Sequence, residues 1–123
     1  MNLENLIFKA VKECLCEGKT NTGSSDYTYI GKTCVVRTYS AGVFVGKVTY
    51  EQGGEVVLND CRRIWYWKGA ASLSQMAVDG VSQPDQCKFS CVTQGHKALG
   101  VIELIPATDK AIKSIYGVKE WKS

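Results

Sequence analysis

The chain has 123 residues, of which 45% are hydrophobic and 22% charged, with a formal net charge of +3. That length and apolar share suit one domain with a single core that needs no staples, and they exclude disorder as the dominant state. The mild positive charge permits contact with phosphates or an acidic protein, but it falls short of the basic excess of a dedicated duplex binder.

The first element in chain order reads as an amphipathic helix over residues 1–17. Leu3, Leu6, Ile7, Ala10, Val11, Cys14 and Leu15 recur at three-four spacing, Glu4, Lys9, Lys12 and Glu13 lie off that stripe, and Gly18 can end it. Its polar face lacks the basic bias of membrane-surface helices, so the stripe is expected to pack on the core or on a partner subunit. No basic leader precedes it and no window reaches the length of a membrane span, so a soluble protein of the cytoplasm is expected. Residues 18–26, a run of Gly, Lys, Thr, Asn, Ser and Asp, read as a flexible linker to a strand-rich domain over 27–123.

Strands follow. Tyr27–Ile30 is a short candidate, and Thr33–Tyr39 is a stronger one, rich in branched and aromatic residues. Ser40-Ala41-Gly42 makes a turn into Val43–Tyr50, where Gly46 marks a bulge or sharp bend. Gln52-Gly53-Gly54 has hairpin chemistry, Glu55–Leu58 returns, Asn59-Asp60 interrupts, and Cys61–Trp67 resumes. Such a meander implies an antiparallel sheet, and a mid-strand glycine bend implies that it curls toward a small barrel. Ser72 to Gln75 match a capping box that opens a helix ending at Gly80, with Leu73, Met76 and Ala77 buried. Thr108-Asp109 opens a second, running through Ala111, Ile112, Ile115 and Tyr116 to Gly117. Between the helices lie strand candidates at Lys88–Thr93 and Leu99–Ile105, the latter closed by Pro106. The fold class is therefore α+β: a curled antiparallel sheet or small Sm/SH3-like barrel of about five strands, with an N-terminal helix and two short ones.

The cysteine count of six is even, but with no route to an oxidising compartment the thiols are expected to be reduced. Cys14-Leu15-Cys16 is too close for a structural zinc pair. Cys87 and Cys91 share a strand face by alternation, so buried thiols acting as small hydrophobes are expected and no metal.

Little points to catalysis. The single histidine, His96, sits in a turn, no nucleophile elbow or phosphate-cradling glycine loop appears, and Asp60, Asp79 and Asp85 are explained as turn residues. A non-enzymatic protein without a cofactor is expected.

The run Arg62-Arg63-Ile64-Trp65-Tyr66-Trp67-Lys68 carries the strongest signal. On a strand, Arg63, Trp65 and Trp67 share one face, and Arg62, Ile64 and Tyr66 the other. Two tryptophans beside an arginine suit stacking a flat ring and pairing a phosphate, and they equally suit anchoring a protein partner or filling a core. Arg37, followed closely by Tyr39, is a second candidate that meets the Arg63 face if their strands are neighbours. The candidate binding residues are thus Arg37, Tyr39, Arg63, Trp65, Trp67 and Lys68.

The order of helix, linker and bent strands resembles the Sm-like small barrel over residues 33–64, with a last strand at Gly100–Ile105, and implies rings of subunits. The acidic-and-asparagine RNA loop of that family is replaced by Tyr50-Glu51-Gln52-Gly53-Gly54, so its RNA binding is not carried over. The stretches Arg37–Gly46 and Arg62–Ala77 resemble a family of uncharacterised small proteins of tailed bacteriophages and prophages, across roughly residues 30–105. That resemblance implies a protein acting in the host cytoplasm against bacterial defence, by association alone. Three readings follow: sequestration of a nucleotide-like signal, blockade of a host defence complex in the manner of an anti-CRISPR protein, and an Sm-like nucleic-acid-binding ring. A homo-oligomer fits each of them, because curled sheets leave edges to cover.

Overall fold

The computed structural model describes residues 28–122. The expected helix over 1–17 and linker over 18–26 lie outside the described residues.

The domain is α+β, built on an antiparallel sheet with six strands and two helices among the described residues. The strands are β1 (Thr33–Thr38), β2 (Val43–Gln52), β3 (Glu55–Tyr66), β4 (Lys88–Phe89), β5 (His96–Ala98) and β6 (Val101–Pro106). The helices are α1 (Leu73–Asp79) and α2 (Asp109–Tyr116). Hydrogen bonding runs in the order β4-β3-β2-β1-β6, with β5 pairing β3, so the sheet is open and not a closed ladder.

Local chemistry sets the boundaries. Gly53 and Gly54 both take positive φ, 55° and 81°, which closes the tight β2–β3 turn between Gln52 and Glu55. The Ser72 hydroxyl accepts from the Gln75 N–H at 3.1 Å, while Gln75 Oε1 accepts from the Ala71 N–H at 2.8 Å, so the expected capping chemistry opens α1. Thr108 Oγ1 caps α2 by accepting from the Ala111 N–H at 3.1 Å.

Each face of the sheet carries its own apolar cluster, so consecutive residues are buried at Cys34, Val35 and Val36 of β1 and at Phe44 and Val45 of β2. On one face Val35, Val45, Ile64 and Phe89 pack against Met76 and Ala77 of α1 and Ala111 and Ile115 of α2. On the other, Cys34, Val36, Phe44, Val48, Val56, Leu58, Cys61 and Ala98 form a second cluster, with Tyr29, Val101 and Leu104 against it.

Several strand expectations need correction. Residues 28–30 are not a strand; the segment turns at Gly31, whose N–H donates to the Val48 carbonyl at 2.7 Å. Asn59-Asp60 does not end a strand, because β3 runs through it as a bulge. The strand expected at Lys88–Thr93 is only the two-residue β4 followed by an isolated Cys61–Thr93 bridge, and the turn around His96 contains β5. Cys87 and Cys91 consequently do not share a face, for Cys87 is buried and Cys91 exposed.

Candidate functional site

Two bulges in β3 decide which of its side chains meet solvent. Val45 pairs with Arg62 and Lys47 with Asn59, so β3 carries one extra residue opposite Gly46. That residue is Asp60, at φ 51°, the one non-glycine residue with positive φ among those described. Gly46 makes the close approach tolerable: a Cβ there would stand 2.9 Å from Leu58 Cβ and 3.2 Å from the Asn59 carbonyl oxygen. An odd insertion reverses the alternation. Val56 and Leu58 point into the second cluster before the bulge, and Cys61, Arg63 and Trp65 take that face after it.

The second bulge lies where Ile64 pairs with Phe89 and Tyr66 with Lys88, leaving Trp65 as the extra residue. Its indole is 58% exposed. Bulges at such positions re-aim a side chain out of the ladder.

The result is a chain of stacked rings and cations on one face of the sheet. His96 tilts onto Phe44 at 5.0 Å between ring centroids, and the Arg63 guanidinium lies 4.8 Å from the Phe44 centroid and 5.3 Å from that of Trp65. Trp65 meets Trp121 edge to face at 6.4 Å, and Lys88 Nζ stands 5.2 Å from the Trp121 ring. Cation–π contacts of this kind contribute about 0.5–1 kcal/mol each at exposed sites. Among the described residues no carboxylate lies within ion-pair distance of Arg63 or Lys88, and no side chain or carbonyl accepts from the Arg63 guanidinium. Stacking occupies the faces of that group and leaves its edge N–H donors for an anion.

The adjacent Arg62 does the opposite. It is 2% exposed on the helix side of the sheet. Its Nε donates to the Ser90 carbonyl at 2.8 Å and its Nη1 to that of Ile115 at 2.9 Å, while its Cζ lies 5.5 Å from the Phe89 centroid. Ile115 is in the last turn of α2, so the cation also sits at the negative end of that helix. Burial pushes the guanidinium below its ordinary value. Arg62 is therefore a structural tie between sheet and helix.

The structure gathers some of the expected residues and separates others. Arg63 and Trp65 stand together, as strand alternation implies. Trp67 does not join them: beyond the second bulge it packs among the helix-side cluster, and its Nε1 donates to the Ala70 carbonyl at 3.2 Å. Arg37 is on the opposite face from Arg63. It pairs across the sheet with Val43, which packs on the helix side, and its Nε binds Glu103 Oε1 at 3.0 Å. Tyr39, 84% exposed, follows β1, and Lys68 is exposed beyond β3 with its backbone N–H donating to Cys87 Sγ at 3.4 Å. Sequence reasoning missed Phe44, His96, Lys88 and Trp121. The last two reach the site because the Trp121 N–H donates to the Phe89 carbonyl at 2.9 Å, a long-range contact with no local signature.

Away from this face, cavities of about 250 and 230 Å³ are shallow. The first is lined by Glu51, Glu55 and Glu103 with Tyr29 and Val101, the second by Asp60, Tyr116 and Val92. No cluster of metal-ligating side chains occurs among the described residues. Cys34, Cys61 and Cys87 are buried free thiols, and burial pushes those of Cys34 and Cys61 up to about 11. No described helix is long and apolar enough to cross a membrane.

Fold and site together define a small α+β domain with an exposed face of alternating cations and aromatic rings. The chain belongs to the family described as Domain of unknown function (DUF6948), which it matches over residues 31–115. That span takes in Arg63, Trp65 and Lys88 and stops short of Trp121. No curated protein and no solved structure shows significant similarity to the chain.

Proposed function

We propose that this is a non-enzymatic binding protein that captures a nucleotide-like ligand on the Arg63–Trp65 face. The observation that carries the reading is the Arg63 guanidinium, fixed against Phe44 and Trp65 with its donors unpaired among the described residues. A planar fork so held matches a phosphate in two-point geometry, and the exposed indole beside it offers a platform for a base. The resemblance to phage proteins supports placing this capture in the host cytoplasm, against a bacterial defence signal.

A second reading, blockade of a host defence protein, is favoured by the exposure of Trp65 and Trp121, 58% and 50%. Exposed Trp beside Arg is the composition of a protein-interface anchor. The finer fold assignment, a small barrel of Sm or SH3 type, draws support from strand order. β1 pairs both β2 and β6, β5 pairs β3, and only Leu99 and Gly100 separate β5 from β6. Self-association through the uncovered sheet edges belongs to the same proposal.

Native mass spectrometry of the full chain with a panel of linear and cyclic nucleotides tests the reading. A stoichiometric mass gain that disappears in Arg63→Ala supports it. No gain with any nucleotide overturns it in favour of a protein partner.

A further inference from the structure

The binding face contains two similar units. In each, a cation lies over an indole: Arg63 at 5.3 Å from the Trp65 centroid, and Lys88 Nζ at 5.2 Å from that of Trp121. The two indoles are neighbours, their centroids 6.4 Å apart at an interplanar angle of 68°, an edge-to-face contact that holds them side by side. The second unit is assembled from distant parts of the chain. Phe89 and Glu120 form a parallel bridge that lays the C-terminal segment along β4, beside Lys88.

We infer that the ligand is a single-stranded nucleic acid, held through two successive nucleotides, one on each unit. This rests on the nucleotide reading above and extends it. A ring and a cation serve one base and one phosphate. Two such units side by side serve two bases and two phosphates, of which a mononucleotide uses only half. The face is also open. Sites for compact small molecules enclose about 70–90% of the ligand, whereas indoles that are 58% and 50% exposed suit a strand that runs on past them.

Charge placement agrees. The carboxylates of Glu51, Glu55 and Glu103 line a cavity elsewhere, and Lys97 and Arg37 hold Glu55 and Glu103 at 3.2 and 3.0 Å. Beside Trp121, Asp85 and Glu120 line a cavity with Lys119 and end the cationic stretch there. The strand is thus expected to leave Trp121 away from that cavity.

The test is a tryptophan-fluorescence titration of the full chain with three ligands: an oligothymidylate of about ten nucleotides, thymidine monophosphate, and a cyclic dinucleotide. The oligothymidylate should bind most tightly, with log affinity falling against log salt at a slope of about −1.4 for two phosphate contacts. Trp65→Ala and Trp121→Ala should each weaken it roughly ten-fold, as loss of one stacked base does. Lys88→Gln should halve the slope to about −0.7. All three side chains are exposed, and circular dichroism checks that the variants stay folded. Equal affinity for the mononucleotide, or indifference to Trp121→Ala, would overturn the two-nucleotide inference and leave the nucleotide reading standing. Tighter binding of the cyclic dinucleotide would overturn the strand. Binding of none of the three would remove the inference and the reading together.

Discussion

Gln94 holds Asp60 with both atoms of its amide: Oε1 accepts from the Asp60 N–H at 2.9 Å, and Nε2 donates to Asp60 Oδ1 at 2.8 Å. The Tyr116 hydroxyl donates to the carbonyl of the same residue. These bonds secure a backbone at φ 51°, a conformation uncommon for any residue with a Cβ. The bulge so held turns Arg63 and Trp65 to the open face and Arg62 and Ile64 to the helices. A side chain in the loop before β5 therefore governs which arginine is available to a ligand.

Removing that hold has a measurable cost. Gln94→Ala leaves the Asp60 amide and carboxylate to water, and it should lower unfolding free energy by about 1–2 kcal/mol. Urea denaturation reads this directly. An unchanged midpoint would show that Tyr116 and the packing around Gly46 maintain the bulge alone.

The two neighbouring arginines should give opposite phenotypes. Arg62→Ala removes the guanidinium that donates to the Ser90, Ile115 and Phe89 carbonyls and leaves a hole beneath α2, so a loss of about 3 kcal/mol or more is expected. Arg63→Ala removes only cation–π contacts at a half-buried position, about 1 kcal/mol in stability, while abolishing ligand capture. Paired denaturation and binding measurements on both variants check the assignment; equal stability losses would contradict it.

Gly46 is constrained by contact, not by its own φ. A methyl group there meets Leu58 Cβ at 2.9 Å and Cys61 Cα at 3.3 Å, in a region with no slack. Gly46→Ala should therefore cost about 1–3 kcal/mol, the range of overpacked cores. Thermal unfolding followed by circular dichroism measures it, and a wild-type melting point would mean that β2 and β3 separate more easily than their packing implies.

Alkaline pH should destabilise the fold through its buried thiols. Folding raises the Cys34 and Cys61 values from 9.0 to about 11, in both cases chiefly by burial. A raised folded value means that the native state keeps protons the unfolded state releases. The contribution is therefore complete below pH 9 and is lost as pH climbs toward 11. Stability curves across that window should fall. In the native protein at pH 8, site-resolved alkylation should modify exposed Cys91 while leaving Cys34 and Cys61 untouched.

Much of the fold was legible locally. Both described helices have the caps and stops that Ser72, Gly80, Thr108 and Gly117 announce, and the Gly53-Gly54 hairpin lies where its chemistry demands. What escaped was set by tertiary contacts. Nothing local tells that Asp60 stays inside a strand, because its partner Gln94 is distant in sequence. Strict alternation placed Trp67 beside Trp65, and the bulge at Trp65 breaks it. Arg37 meets the Arg63 face only if their strands are neighbours, a pairing no local signal decides, and β2 lies between β1 and β3. The Arg63–Trp65 pairing needed only alternation over two residues and could be read directly; Lys88 and Trp121 required the fold.

The central claim is that ligand binds the face built on Arg63, Trp65, Lys88 and Trp121. An amide and indole N–H correlation spectrum of the full chain, recorded with and without oligothymidylate, tests it most directly. The account predicts shifts of the Trp65 and Trp121 indole signals and of amides in β4 and the end of β3, with the Trp67 indole and the helices unmoved. Shifts centred on the Glu51, Glu55 and Glu103 cavity, or no shifts at all, would contradict it.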